Sequence, residues 1–110
     1  MNSGFILFSS IIIMSSPQNP EAFYQKLKEQ LKADTHWPNL YLYKFILPAS
    51  STQEKELVAI FDKLGAVITT NISKTGKYKS FSIKVRLQNP DAVISKYKEV
   101  GDKITDVISL

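Results

Sequence analysis

The chain contains no cysteine. Disulfides, thiolate nucleophiles and Cys-built metal sites are excluded, and a cytoplasmic location fits that composition. Histidine occurs once, at His36. Without a second His or any Cys it could hold a metal only together with carboxylates, and the sequence offers it no catalytic partner. No apolar run approaches the ~20 residues that a membrane helix needs. Acidic side chains are absent between Asp62 and Asp91, where Lys63, Lys74, Lys77, Lys79, Lys84 and Arg86 all fall. Neither a metal, a cofactor nor a catalytic group is expected from these residues.

The rest of the composition is ordinary. The chain has 110 residues, 44% apolar and 22% charged. That is one globular domain with a modest core. A net charge of +4 permits an anionic or nucleic-acid partner without requiring one.

Residues 1–19 differ from the rest of the chain. No charged side chain occurs before Glu21, and Phe5-Ile6-Leu7-Phe8 and Ile11-Ile12-Ile13-Met14 flank two serines. A secretory signal would have Lys or Arg ahead of the apolar run and small residues at a cleavage site. The expectation is a disordered leader or one lying upstream of a true start at Met14, with the folded domain at 20–110.

The period of the apolar residues gives the elements. Phe23, Leu27 and Leu31 recur at helical spacing, which predicts a helix over 20–33 that ends before Asp34. Trp37 before Pro38 marks a turn, with the indole closing the edge of the core. Leu40 to Leu47 reads as a strand with Tyr41, Tyr43, Phe45 and Leu47 on one face. Ser51 and Glu54 form a capping-box pattern ahead of a helix carrying Leu57, Val58, Ile60, Phe61 and Leu64, with Gly65 ending it. The β-branched run 66–73 predicts a second strand. Lys74-Thr75-Gly76-Lys77 is a hairpin turn into a third strand at 78–88. Strict alternation there sends Phe81, Ile83, Val85 and Leu87 inward and Ser80, Ser82, Lys84 and Arg86 outward. Asn89 and Pro90 open a last helix that Gly101 should end, and 104–110 is a closing strand.

After the first helix the order is strand, helix, strand, strand, helix, strand. Two such halves interleave as an α+β, ferredoxin-like βαββαβ sandwich with sheet order 4-1-3-2, here with an extra N-terminal helix. The strands at 40–47 and 78–88 become the central pair. That fold hosts many unrelated functions. A metal-chaperone version needs a Cys pair after the first strand, and an acylphosphatase-like version needs a Gly-rich cradle with Arg; Leu47-Pro48-Ala49-Ser50-Ser51 supplies neither. An RNA-recognition version stacks bases on outward aromatics of the central strands, where alternation leaves only Tyr78.

Trp37-Pro38, Tyr43-Lys44-Phe45 and the run Ser73 to Ile83 (Ser-Lys-Thr-Gly-Lys-Tyr-Lys-Ser-Phe-Ser-Ile) resemble the YbeD-like family of small bacterial proteins of unknown function. The resemblance covers about residues 21–110. It implies a ferredoxin-like fold similar to small regulatory ACT-type domains and, for some relatives, a suggested connection with lipoate metabolism. It carries no catalytic residues. The helix at 20–33 and the leader depart from the shorter members.

The candidate binding surface is the outward face of the central strands. Lys44 should join Lys84 and Arg86 there, with Ser80 and Ser82 as hydroxyl donors and Lys74, Lys77 and Tyr78 at the hairpin. Such a face is often only a solvated surface whose cations discourage aggregation. As a functional surface it fits a non-catalytic regulatory or interaction module for an unknown protein or small anionic ligand, with self-association also compatible. The alternative is weak RNA binding on the same face.

Overall fold

The computed structural model describes residues 5–6 and 20–109. Its elements in chain order are β1 (Phe5–Ile6), α1 (Pro20–Asp34), β2 (Asn39–Pro48), α2 (Glu54–Phe61), β3 (Val67–Ile72), β4 (Tyr78–Leu87), α3 (Pro90–Lys103) and β5 (Ile108–Ser109). A short 3-10 turn, Asp62–Leu64, follows α2. Apart from β1, the leader and its Met14 lie outside the described residues, as does Leu110.

Four antiparallel strands form an open sheet. β2 and β4 are the central pair, in unbroken register from Asn39 opposite Leu87 to Pro48 opposite Tyr78. β3 lies outside β4, and β5 lies outside β2 through Phe45–Ser109 and Ile46–Ile108. β1 runs parallel to the other end of β2, with Phe5 opposite Leu40 and Ile6 opposite Tyr41.

The alternation of β2 and β4 explains the core. Tyr41, Tyr43, Phe45 and Leu47 are buried with Phe81, Ile83, Val85 and Leu87. The same cluster takes Leu27 and Leu31 from α1, Leu57, Ile60 and Phe61 from α2, and Val93, Ile94, Tyr97 and Val100 from α3. All three helices therefore pack against the inward face of the sheet. Aromatic rings fill its centre: Tyr43 lies 4.8 Å from Tyr97 edge to face and 5.0 Å from Phe61. Each buried hydroxyl has a partner: Tyr43 donates to the Val93 carbonyl at 2.9 Å, and Tyr41 meets Tyr97 at 2.8 Å.

Local signals hold at several ends. The Asn89 side chain accepts from the Ala92 N–H at 2.9 Å and Pro90 starts α3. Gly65 and Gly76 take φ of 69° and 76°, in the left-handed region. Trp37 packs against the core, and its indole donates to the Leu31 carbonyl at 3.1 Å. That bond satisfies a last-turn carbonyl of α1, and the helix runs on through Asp34 rather than ending before it.

Four expectations are corrected, two of them by contacts made far along the chain. Ser51 does not cap α2, which begins at Glu54 with Gln53 as N-cap and no side-chain cap. The Ser51 hydroxyl instead accepts from the Gln53 N–H and donates to Asp106. Leu64 leaves the buried stripe, because the tighter 3-10 turn rotates it outward. Gly101 does not end α3, since buried Val100 and Ile104 anchor the turn across it and the Ile104 N–H reaches the Val100 carbonyl at 2.9 Å. The closing strand shrinks to Ile108–Ser109, because the Thr105 N–H is taken by the Gln53 side chain at 2.9 Å.

Candidate functional site

Parity along the strands decides what lies on the outward face of the sheet. Residues opposite one another in an antiparallel pair share a face. Lys44 stands opposite Ser82, Leu42 opposite Lys84, Leu40 opposite Arg86, Ile46 opposite Ser80 and Pro48 opposite Tyr78. β3 extends these rows with Val67 beside Lys84, Thr69 beside Ser82 and Asn71 beside Ser80. No described helix contributes to this face, which is open among the described residues.

Lys44, Ser80, Ser82, Lys84 and Arg86 form one continuous group. Lys44 and Lys84 are diagonal neighbours, about 7–8 Å apart at Cα. Lys84 and Arg86 are one strand repeat apart, about 7 Å. Lys84 and Arg86 are exposed, while Lys44, Ser80 and Ser82 are half-buried. The Ser80 hydroxyl reaches the Asn71 carbonyl at 3.4 Å. Lys74 and Lys77 lie apart, in the turn at the far end of β4, and Tyr78 is on the same face one strand repeat from Ser80. Five residues separate Lys77 from Ser82, about 17 Å along a strand. The turn itself is tightly bonded: the Gly76 N–H donates to the Ser73 carbonyl, the Ser73 N–H to the Tyr78 carbonyl, and the Ala49 N–H to the Lys77 carbonyl. Tyr78 is 47% exposed and is the one aromatic ring among the described residues of the open face.

Charge is segregated between the two layers. No strand contains an Asp or Glu; all ten lie on helices, turns and connections. Four helix-side cations are matched there: Lys28 pairs with Asp91 at 2.8 Å, Lys96 and Lys103 both with Glu99, and Lys98 with Glu21 at 3.5 Å. The bonds from Lys96 and then Lys103 hold the Glu99 carboxyl below its usual range. Lys79 points to the helix side, pairing with Glu54 at 2.8 Å, and so is not part of the open face. Lys44, Lys84 and Arg86 lie on strands that carry no acidic side chain.

Alternation in the sequence puts Leu42 and Ile46 on the face of Lys44, but it does not show that no described helix covers them. Leu40, Leu42, Ile46, Pro48 and Ile108 line the β2 side of the open face, half-buried. The available signal is the apolar content of both faces of β2, which reads equally as a strand covered on both sides.

Other groups do not assemble a site. His36 is exposed in the α1–β2 connection, where the Asn39 side chain donates to its carbonyl at 3.2 Å. Among the described residues no three His, Cys, Asp or Glu side chains converge as metal ligands. A cleft between α1 and α3, lined by Tyr24, Lys28, Asp91 and Lys98, holds charges already paired with each other or with Glu21. Burial pushes the Tyr41, Tyr43 and Tyr97 hydroxyls well above their ordinary range, and all three are sealed in the core. No described helix is long and apolar enough to cross a membrane. No family model, curated protein or solved structure matches the chain.

Proposed function

We propose that this protein is a small non-catalytic interaction or regulatory module that engages an anionic partner through the open face of its sheet. The observation that carries the reading is the grouping of Lys44, Lys84 and Arg86 around Ser80 and Ser82, on a face without acidic side chains. Cations fix an anionic group at long range, the serine hydroxyls offer directed donors, and Leu40, Leu42 and Ile46 supply apolar area beside them. A mixed surface of this kind suits a protein segment or a small carboxylate or phosphate ligand. The proposed fold is ferredoxin-like with an added N-terminal helix: counted from β2, the pairings run fourth, first, third, second. The YbeD-like motifs at Trp37-Pro38 and Ser73 to Ile83 support a regulatory role of the ACT type, with lipoate-linked metabolism as one setting.

The test is the double variant Lys84→Glu/Arg86→Glu. Both side chains are exposed, so its thermal stability should stay within about 1 kcal/mol of the parent. Capture of the native partner from cell extract should be lost, because like charge now meets the anionic surface. Undiminished capture would make the face a solvated surface and nothing more.

Exposed Tyr78 on the same face favours one further reading, weak single-stranded RNA binding. Titration with an unstructured oligonucleotide at two salt concentrations separates the two. Backbone binding falls steeply with salt, whereas a mixed apolar and hydrogen-bonded contact falls much less.

A further inference from the structure

Among the described residues β3 pairs only with β4, and its other side is an unpaired sheet edge within them. Edge strands are normally blunted by charge, proline, bulges or brevity. β3 has none of these: Val67–Ile72 reads Val-Ile-Thr-Thr-Asn-Ile, six residues in continuous register with β4 and without a charged side chain. Exposed large apolar residues also concentrate here. Of the four among the described residues, Val67 (62% exposed) and Ile72 (58%) are on this strand and Leu64 lies just before it.

The hydrogen-bond parity of the edge follows from the hairpin. The Ser73 N–H bonds to the Tyr78 carbonyl, so Ser73–Tyr78 is a hydrogen-bonded pair. Such pairs alternate along an antiparallel ladder, which makes Asn71–Ser80, Thr69–Ser82 and Val67–Lys84 the next ones. Ile68, Thr70 and Ile72 therefore direct their N–H and C=O groups away from β4, toward the open edge.

We infer that β3 is a self-association edge, on which a second copy of this chain pairs its own β3 antiparallel about a two-fold axis at Thr70. In that register Ile68 meets Ile72 of the second copy, Thr70 meets Thr70, and Ile72 meets Ile68. Every outward N–H and C=O of β3 finds a partner, which an isologous contact requires. On the helix side, Ile68 and Ile72 cover one another across the junction; on the open side, Thr69 faces Asn71. Charge does not oppose the contact. Lys74 arrives beside the turn holding Asp62 and Lys63, whose charges cancel. The two β4 strands stand three strand spacings apart, about 14 Å, beyond the screening length at physiological salt. The mutual cover of Ile68 and Ile72, with no like charge across the junction, favours a second copy over an unrelated strand. The product is one continuous sheet of doubled width whose basic open faces lie side by side. The inference does not depend on what those faces bind.

The test uses the full chain. Sedimentation from micromolar to millimolar chain should show a reversible monomer–dimer equilibrium, weak because a six-residue edge sits at the low end of interface sizes. Thr70→Pro removes an N–H that β4 does not use, so the monomer should melt as the parent does while its dimerisation weakens at least about tenfold. The absence of native cysteine allows a register test. Thr70→Cys places two sulfurs on residues about 5.5 Å apart at Cα, within disulfide reach, and should cross-link on mild oxidation. Ile72→Cys places them more than about 13 Å apart and should not. A chain that stays monomeric at millimolar concentration overturns the inference. So does dimerisation of Thr70→Pro at the parent's strength, or cross-linking of Ile72→Cys as fast as Thr70→Cys.

Discussion

The hydroxyls of Tyr41 and Tyr97 meet at 2.8 Å inside the core, joining β2 to α3 across 56 residues of chain. Each is the other's only hydrogen-bond partner among the described side chains. Removing either hydroxyl leaves its neighbour buried and unsatisfied; removing both leaves none. Tyr41→Phe and Tyr97→Phe should each destabilise by about 1–3 kcal/mol, and the double variant by less than the sum. Chemical denaturation of the four proteins checks this. Additive losses would show that the two hydroxyls are not coupled.

The same burial sets the behaviour in alkali. Burial raises Tyr43 well above the ordinary tyrosine range, with the nearby Tyr41 adding to it, and Tyr41 and Tyr97 are raised by the same cause. Below about pH 10, the tyrosine value in an unfolded chain, both states keep these protons and the stabilisation is intact. Above it the unfolded chain releases protons that the folded chain holds, so stability falls as pH rises. Tyrosinate absorbance of these three rings should therefore appear together with loss of the fold. Full ionisation of all the tyrosines while the near-ultraviolet circular dichroism stays native would contradict a sealed core.

Gly101 lies within α3, and a Cβ built there meets no atom within 4 Å. Ala at that position removes unfolded-state freedom and improves helix propensity. Gly101→Ala should stabilise by about 0.5–1 kcal/mol, read from the denaturation midpoint. If the helix ended at this glycine instead, the substitution would destabilise.

How far these features were legible depends on the range over which their causes act. Alternation over Lys79–Leu87 and Leu40–Leu47 placed Tyr41, Tyr43, Phe81 and Val85 in the core, because period two is a property of adjacent residues. The Asn89–Pro90 start of α3 and the glycines at 65 and 76 are equally local. So is the grouping of Lys84 with Arg86; joining Lys44 to them needed the expected sheet order, which makes 40–47 and 78–88 neighbours. What failed was decided by packing and by competing hydrogen-bond partners. Ser51 is a sound cap by pattern, yet its hydroxyl serves Gln53 and Asp106. Gly101 is a sound stop, yet Val100 and Ile104 hold the helix through it. That no described helix covers Leu40, Leu42 and Ile46 depends on which side the helices take, and β2 is apolar on both.

Gly76 is a different case from Gly101. Its φ is 76°, and nothing lies within 4 Å of a Cβ placed on it. A substitution there meets backbone strain alone, without a clash. Gly76→Val should cost about 1–3 kcal/mol, and Gly76→Asn clearly less, since Asn tolerates the left-handed region. Equal losses for Val and Asn would mean that side-chain crowding, not φ, governs the turn.

Gln53 closes the molecule at the end where β5 begins. Its amide donates to the Lys103 carbonyl at 3.1 Å, and its side-chain oxygen accepts from the Thr105 N–H at 2.9 Å and from the Thr105 hydroxyl at 3.1 Å. One side chain thus satisfies a carbonyl at the end of α3 and turns the chain toward the sheet. Beyond it β5 holds, among the described residues, the two register pairs Phe45–Ser109 and Ile46–Ile108. Gln53→Ala should therefore act locally. Exchange of the Thr105 amide should accelerate, and β5 should open with it at a free energy well below global unfolding. The global loss should be about 1–2 kcal/mol, because these bonds are solvent-accessible and water replaces them in part. Gln53→Glu keeps the acceptor and loses the donor, setting a carboxylate oxygen against the Lys103 carbonyl at the negative end of α3. It should protect the Thr105 amide yet melt no better than Gln53→Ala. Thr105 exchange unchanged in Gln53→Ala would place the hold on this segment in the Ser51–Asp106 contact instead.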